Sequence, residues 1–330
     1  MHRADHLVRG APGRAQGLSG NAARRTASSD AAVPPLAPIA LNRPAAGGRS
    51  ALKVVVLNVA GGADLDAIRR CFVRPPLADA GTLLLCEASW RMPRHAMVEF
   101  APSLAAALQM SFVFVPSFGR VGADGAVRTV GNAILCAQPI EDFRAIPLTR
   151  PPFHFYRHPL LGGHQAILAS VRTGGWRVTM GVAHLERRWD PAGRARQMED
   201  FLRAIGDQTR VIIGGDFNTS TMDMDQRWSL LRAAAKIVVS PRRFREPQPR
   251  EPLFDRMKEH GLSIEGANVP HKPTFTLSRA VPMRWRPKLD WIAARGVAPK
   301  EGSAAVVAAR TSALGRRISD HDFVLCEFSL

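Results

Sequence analysis

The apolar positions of this chain gather into short runs rich in Val, Ile and Leu, separated by Gly, Pro and polar turns. LKVVVLNV (52–59), apolar but for Lys53 and Asn58, ends at a Gly-Gly turn and has the pattern of a buried strand. GTLLLCEAS (81–89) is a second such run, and it ends on an acid. Strands are also predicted over SFVFVPS (111–117), GNAILCA (131–137), QAILASVRT (165–173), WRVTMGVAHL (176–185) and TRVIIGGDFN (209–218). Three more are expected at KPTFTL (272–277), PKLDWIAARG (287–296) and DFVLCEFSL (322–330). Helical spacing predicts helices near 64–72, 93–110 and 251–261. A further one is expected over 193–206, where Arg194, Gln197, Met198, Phe201, Leu202 and Ile205 share a face. Many strands, some apolar throughout and some alternating, with few helices, fit an α/β (α+β) chain in which sheets pack on each other with helices outside.

Residues 1–50 show no apolar period and are rich in Ala, Pro, Gly, Ser and Arg, so they are expected to form a disordered basic segment ahead of one catalytic domain over 51–330. The best apolar stretch there, AAVPPLAPIAL (31–41), holds three prolines and makes a poor signal-peptide core. No run reaches the length of a membrane-spanning helix.

Several strands end in polar residues that a core does not accommodate. Asn58 ends the first run and Glu87 the second; Asp216 and Asn218 follow VIIGG; Asp290 sits in KLDWI; Asp320 and His321 precede the final strand. A rigid scaffold uses strand ends and the loops beyond them to aim several side chains at one point. The residue types suit phosphodiester hydrolysis. Glu87 and Asp320 offer hard oxygen ligands for Mg²⁺ or Mn²⁺, which offsets phosphate charge and polarises a phosphoryl oxygen. His321 with a carboxylate partner can orient or deprotonate water, and Asn218 can donate to developing charge without titrating.

The set LNV–LCE–AHL–GGDFN–KLDWI–SDH resembles the endonuclease/exonuclease/phosphatase (DNase I-like) superfamily, from about residue 52 to the C-terminus. GNAIL (131–135) and HLE followed by RxRQ (184–197) strengthen the resemblance. It implies a four-layer α/β/β/α sandwich of two packed, mainly antiparallel sheets with outer helices. It also implies roles. Glu87 is the principal metal ligand, with Asn58 and Asp320 completing the metal site. His184 contacts the phosphate and protonates the leaving group. Asp216 orients or activates the attacking water with Asn218 as its partner on the phosphate, and Asp290 pairs with the essential His321. Where many members of the superfamily carry an Arg before the strand QAILASV, this chain has His164-Gln165. His164 could substitute for that phosphate contact, and Asn132 could line the site.

The net charge of +17 and pI near 11.2 favour a polyanionic partner, although an Arg- and Ala-rich coding composition is a competing source. The Arg cluster over 242–250, with Arg279, Arg284, Arg286 and Lys288, is placed to form a basic rim beside Asp290; Tyr156 lies in an aromatic loop (153–159) able to stack a base or headgroup. Four cysteines without a CxxC pair read as buried thiols in a reducing compartment, the cytoplasm. The function expected is metal-dependent phosphodiester hydrolysis, with nucleic acid favoured over lipid headgroups and no protein partner implied. A lipid or inositol phosphate phosphoesterase of sphingomyelinase type and a catalytically inactive binding module are the alternatives.

Overall fold

Strand runs that are apolar on both faces need a cover on both sides, and the chain builds one. In a computed structural model, residues 37–45, 49–61, 64–90, 99–121, 127–152, 161–219, 242, 245–276, 282–311 and 315–330 are described. Their order is β1 (Ile39–Leu41), β2 (Ser50–Asn58), α1 (Leu65–Cys71), β3 (Ala80–Trp90), α2 (Phe100–Leu108), β4 (Ser111–Val121), β5 (Val127–Cys136) and β6 (Ile140–Pro147). Then come β7 (Leu161–Gly162), β8 (Gln165–Thr173), β9 (Trp176–Val182), α3 (Pro191–Ile205), β10 (Val211–Asp216), α4 (Leu253–Glu259), β11 (Asp290–Arg295), β12 (Ala298–Pro299), β13 (Ala305–Val307) and β14 (Phe323–Ser329).

Among the described residues, nine strands form one sheet, seven along the path β1-β4-β5-β3-β2-β14-β12 with β13 beside β14 and β7 beside β4, and five form the other in the order β11-β10-β9-β8-β6. Among the described residues, only β2–β3 and β9–β10 pair in parallel, and the remaining strand pairs are antiparallel. The period of two in each strand sorts its side chains between layers. Val55 and Leu57 of β2 pack with Leu83 and Leu85 of β3 against Phe100 and Leu104 of α2, while Val54, Val56, Leu84 and Cys86 face the second sheet. On the other side, Leu168, Val211 and Ile213 pack against Met198, Phe201 and Leu202 of α3 and Leu253 of α4. Three apolar layers between four structural ones make the α/β/β/α sandwich. Each fully buried Leu, Ile or Val in them stabilises by about 1.5–3 kcal/mol. No helix among the described residues is long and apolar enough to cross a membrane.

Some elements differ from expectation. β1 lies inside the segment expected to be disordered: its residues pair with Phe112–Phe114 of β4, and the Asn42 side chain bonds both the N–H and the carbonyl of Ile140. β6 escaped the apolar pattern because it is an edge strand carrying Glu141, Asp142 and Arg144 outward. Where a strand is expected over 272–277, the described residues 272–276 form a strap with a single bridge, Phe275 to His321, because the Thr274 hydroxyl accepts from the backbone of Leu289 and Asp290. α3 starts at Pro191, two residues earlier than its apolar face, because Asp190 caps it by accepting from Gly193 N at 2.7 Å. Tyr156, Arg279 and residues 93–98 of the second expected helix lie outside the described residues, as does the side chain of Arg284.

The Gly-Gly before Asp216 has a steric cause. Gly215 has φ +147°, and a Cβ there would stand 2.0 Å from the carbonyl oxygen of Ala183. Gly215→Ala is therefore expected to destabilise by about 2–4 kcal/mol, adding backbone strain to overpacking. Urea unfolding reads this as a lower midpoint at unchanged slope, and an unshifted midpoint would refute the close approach.

Candidate active site

The two sheets bring the polar strand ends to one edge of the sandwich. β2 and β3 run parallel, so Asn58 and Glu87 emerge side by side. β9 and β10 also run parallel, placing His184, just past β9, beside Asp216 at the end of β10. β11 runs against β10 with Asp290 directly opposite Asp216, and β14 runs against β2, so His321 enters from the same edge. Two carboxylates facing each other across strands repel. Here a histidine offsets the repulsion: His321 Nδ1 lies 2.8 Å from Asp290 Oδ2, and its Nε2 lies 3.5 Å from Asp216 Oδ2. Burial alone would push the His321 ring down, but the Asp290 and Asp216 carboxylates, the Asp290 hydrogen bond and nearby Asp320 hold it up at about 10.

Asp216 Oδ2 is the hub. It accepts from Asn58 Nδ2 at 3.0 Å and has His184 Nε2 at 3.6 Å as well as the His321 ring. Its other oxygen accepts the Asn218 N–H at 3.0 Å. Burial, and then Asp290, raise its pKa against the pull of both histidines. Asn58 uses its amide NH₂ on both carboxylates, reaching Glu87 Oε1 at 3.1 Å, while its Oδ1 takes the Ala60 N–H. Its NH₂ thus goes to the two carboxylates and its oxygen to the Ala60 backbone.

Glu87 stands where β3 bulges against β5, with φ +55°, a conformation costly for a non-glycine residue. Asn218 also has positive φ (+51°), which asparagine tolerates better, and its Nδ2 donates to the Leu185 carbonyl. Glu87 is 38% exposed, the most open carboxylate of the Glu87, Asp216 and Asp290 group. Burial raises its pKa, yet the His184 charge, the Asn58 bond, His321 and Arg187 together hold it below its ordinary value.

These donors suit a hard divalent cation. Glu87 presents an ionised, accessible carboxylate. A tighter acid–histidine group, Asp216, Asp290 and His321, also lies within 4.8 Å and could in principle hold an ion. It is wholly buried, with His321 Nδ1 committed to Asp290, whereas Glu87 is accessible. Asp290 Oδ1 is buried without a hydrogen bond, an unsatisfied acceptor at the back of the site. Asp320 is half-buried, with its carboxylate 3.4 Å from Ser319 Oγ; the single Ser319 hydroxyl proton goes to the Asn58 carbonyl at 2.6 Å, tying the last loop to β2.

The remaining candidates sit further back. Asn132 is buried and donates to the Gln165 carbonyl at 2.6 Å. His164 turns away from the hub, with Nδ1 3.0 Å from the His184 carbonyl and Nε2 3.0 Å from Glu186 Oε2. Glu186 had no role assigned from sequence, although the HLE motif contains it. Burial pushes its carboxyl up, but the bond and charge of His164 and the Arg188 N–H bring it down to about 2. The RxRQ motif proves to be a brace: Gln197 bonds Glu186 N and the Thr149 carbonyl, and Arg194 forms a buried fork with Glu251. A cavity of about 240 Å³ adjoins Glu87 and His184, lined also by Phe118, Gly131, Asn132 and Arg187. A larger one, about 400 Å³, lies at the end of α3 among Arg144, Ser170, Arg177 and Gln208 and contains none of the site residues. Of the expected basic rim, Arg286 bonds the Thr276 hydroxyl at 3.4 Å, whereas Lys288 is buried with its ammonium 4.2 Å over the Trp291 ring.

No protein-family model and no curated protein matches the chain in sequence. Solved structures do resemble it. An endonuclease/exonuclease/phosphatase from Beutenbergia cavernae superposes with TM-score 0.54 at 17% identity, covering 84% of this chain and 71% of that one. An endonuclease/exonuclease/phosphatase family protein from Leptotrichia buccalis gives 0.54 at 15% identity, covering 84% and 100%. A 3'-5' exonuclease from Neisseria meningitidis gives 0.53 at 18%, covering 84% and 100%. With two packed sheets, outer helices and these structural relatives, the chain has the endonuclease/exonuclease/phosphatase fold.

Proposed function

We propose that this protein, with residues 51–330 as its catalytic domain, is a divalent-metal-dependent phosphodiesterase acting on nucleic acid. The observation that carries this reading is the hub at Asp216 Oδ2, where Asn58, His184 and the Asp290-paired His321 converge beside an accessible Glu87. Such a constellation serves hydrolysis of an anionic ester better than any structural purpose, because a core does not collect buried like charges at a strand edge without use.

Mg²⁺ or Mn²⁺ held by Glu87 and Asp320 would polarise a phosphoryl oxygen. Asn58 aims the Glu87 carboxylate toward that ion. Asp216 takes the proton of the attacking water, and Asn218 fixes its carboxylate from behind through Oδ1. His321, kept protonated by Asp290, offers Nε2–H to a phosphoryl oxygen as charge develops. His184 Nε2, on the other flank of the hub, reaches the leaving oxygen. The separations of 3.5 and 3.6 Å from Asp216 exceed a good direct hydrogen bond and leave both rings available to a substrate oxygen. Asn132 lines the cavity beside Glu87, where a neighbouring part of the substrate would lie.

Nucleic acid is preferred for two reasons. The chain carries +17, with Arg187 beside Glu87. The Neisseria relative is a 3'-5' exonuclease, and a variant described as a 3' phosphatase is seen bound to a product DNA hairpin, with TM-score 0.53. The test is turnover of single- and double-stranded DNA, RNA, sphingomyelin and bis-p-nitrophenyl phosphate with Mg²⁺, Mn²⁺ or EDTA. Cleavage of nucleic acid that EDTA abolishes, with binding that weakens steeply as salt rises, is expected. Turnover of sphingomyelin alone would replace the substrate class, and no metal-dependent turnover on any of them would refute the enzyme.

A further inference from the structure

His164, a candidate substitute for a phosphate contact, has both of its ring nitrogens occupied on the protein side. Nδ1 meets the His184 carbonyl and Nε2 meets the Glu186 carboxylate, each at 3.0 Å, in a pocket where the histidine is 8% exposed. A carbonyl and an ionised carboxylate only accept, so the ring satisfies both only with a proton on each nitrogen. The Phe118 ring stands edge-on to it at 4.8 Å, and the His184 ring lies 6.0 Å away at 86°.

The segment carrying His184 has its other holds on β10 and, through Cys86 Sγ to the Ala183 carbonyl at 3.6 Å, on β3. β10 and the residues just beyond it grip it through Ala183 N to the Gly214 carbonyl, Leu185 N to the Asp216 carbonyl, and Asn218 Nδ2 to the Leu185 carbonyl. His164 supplies a hold on the opposite side, at the peptide of His184 itself. Glu186 anchors that hold. Its Oε1 takes the Arg188 N–H, and its own N–H goes to Gln197 of α3, whose amide also bonds the Thr149 carbonyl. The ring of His184 can therefore settle at the hub only as well as its backbone is fixed by β10, by β3 and by His164.

We propose that His164, locked by Glu186, is a positioning residue that clamps the His184 main chain and so holds the His184 imidazole over Asp216 and Glu87. This rests on the reading above that His184 acts on the substrate. It assigns the His164–Glu186 pair a purpose distinct from phosphate contact and links α3, through Gln197, to the geometry of the site.

A double-mutant cycle on the full chain tests it. His164→Phe keeps the ring shape and its contact with Phe118 but removes both donors. It is expected to lower kcat on bis-p-nitrophenyl phosphate by about 10- to 100-fold with KM changed less than about twofold. In a His184→Ala background the same change is expected to alter kcat less than about twofold, because the residue it positions is gone. Glu186→Gln leaves one amide oxygen for Nε2 and turns its NH₂ toward the Arg188 N–H, so it is expected to fall between wild type and His164→Phe. An equal loss in both backgrounds, or none in either, overturns the clamp. A wild-type rate in His184→Ala itself overturns the role of His184 and leaves the clamp without purpose.

A readout independent of turnover accompanies the cycle. In a proton NMR spectrum of the ¹⁵N-histidine-labelled, metal-free protein, His164 is expected to show two slowly exchanging ring N–H signals, both absent from His164→Phe. A single signal overturns the clamp. Two signals in a protein that hydrolyses no phosphodiester keep the hydrogen bonds and overturn the catalytic reading, so the two failures are told apart.

Discussion

His321→Ala is expected to lower metal-dependent phosphodiester turnover by about a thousandfold or more, and Asp216→Asn to fall as far. His321 is the group that lets Asp216 and Asp290 coexist across the strand pair, standing 2.8 Å from one carboxylate and 3.5 Å from the other. Removing it leaves two buried acids opposed, one of which must take a proton. Asp216 then loses its value as a proton acceptor in the same step that removes a donor to the phosphoryl group. The measurement is kcat at saturating Mg²⁺, with circular dichroism to verify the fold. Rates within tenfold of wild type in both variants would sink the assignment of the site.

The same substitution has a signature in stability. The folded-state pKa of His321 is raised to about 10 from an ordinary 6.5. Its stabilising contribution is thus full below about pH 6.5 and fades as pH rises through about 10. The deficit of His321→Ala in the metal-free protein should be largest at acid and neutral pH and smallest above about pH 10.

The second large effect is structural. Arg194 of α3 and Glu251, just before α4, are buried completely or nearly so and meet through two nitrogens, Nε at 3.2 Å and Nη2 at 2.6 Å; Arg194 Nη1 also bonds the Trp189 carbonyl. Glu251→Leu strands a guanidinium in an apolar layer, and the expected loss is about 3–5 kcal/mol. Pairing it with Arg194→Met removes both charges and should restore most of that loss, since well-packed apolar residues replace buried ion pairs at little cost. Denaturant midpoints of the single and double variants decide the matter. A single variant as stable as wild type would mean that the Arg194 charge is solvated or otherwise matched.

Much of the fold was legible because it rests on local periodicity. VVVL (54–57) and LLLC (83–86) are apolar at every position, the pattern of a strand covered on both faces. The site residues were legible for the complementary reason that Asn58, Glu87, Asp216, Asp290 and His321 interrupt apolar runs at their ends. Where local pattern and final structure part, long-range contacts decide. β1 is held by pairing with β4 and by Asn42, none of which leaves a mark on an Ala/Pro-rich stretch. KPTFTL alternates as a strand should, yet the Thr274 hydroxyl takes the backbone N–H groups of Leu289 and Asp290, and Phe275 covers His321.

What the sequence alone determined is which residues are polar where a core is apolar, and hence the chemistry to expect: hard oxygen donors, an acid–histidine couple and amides. What only the tertiary structure decided is which atom of each residue meets which. Asn58 presents its NH₂ rather than its oxygen to the carboxylates, and His164 faces Glu186 and the His184 backbone rather than the hub. The physical reason is that a strand end specifies a residue's place to within a layer, whereas hydrogen-bond direction depends on partners brought close by sheet pairing between segments far apart in the chain. Asn58 and Asp216 are 158 residues apart in sequence and 3.0 Å apart in space.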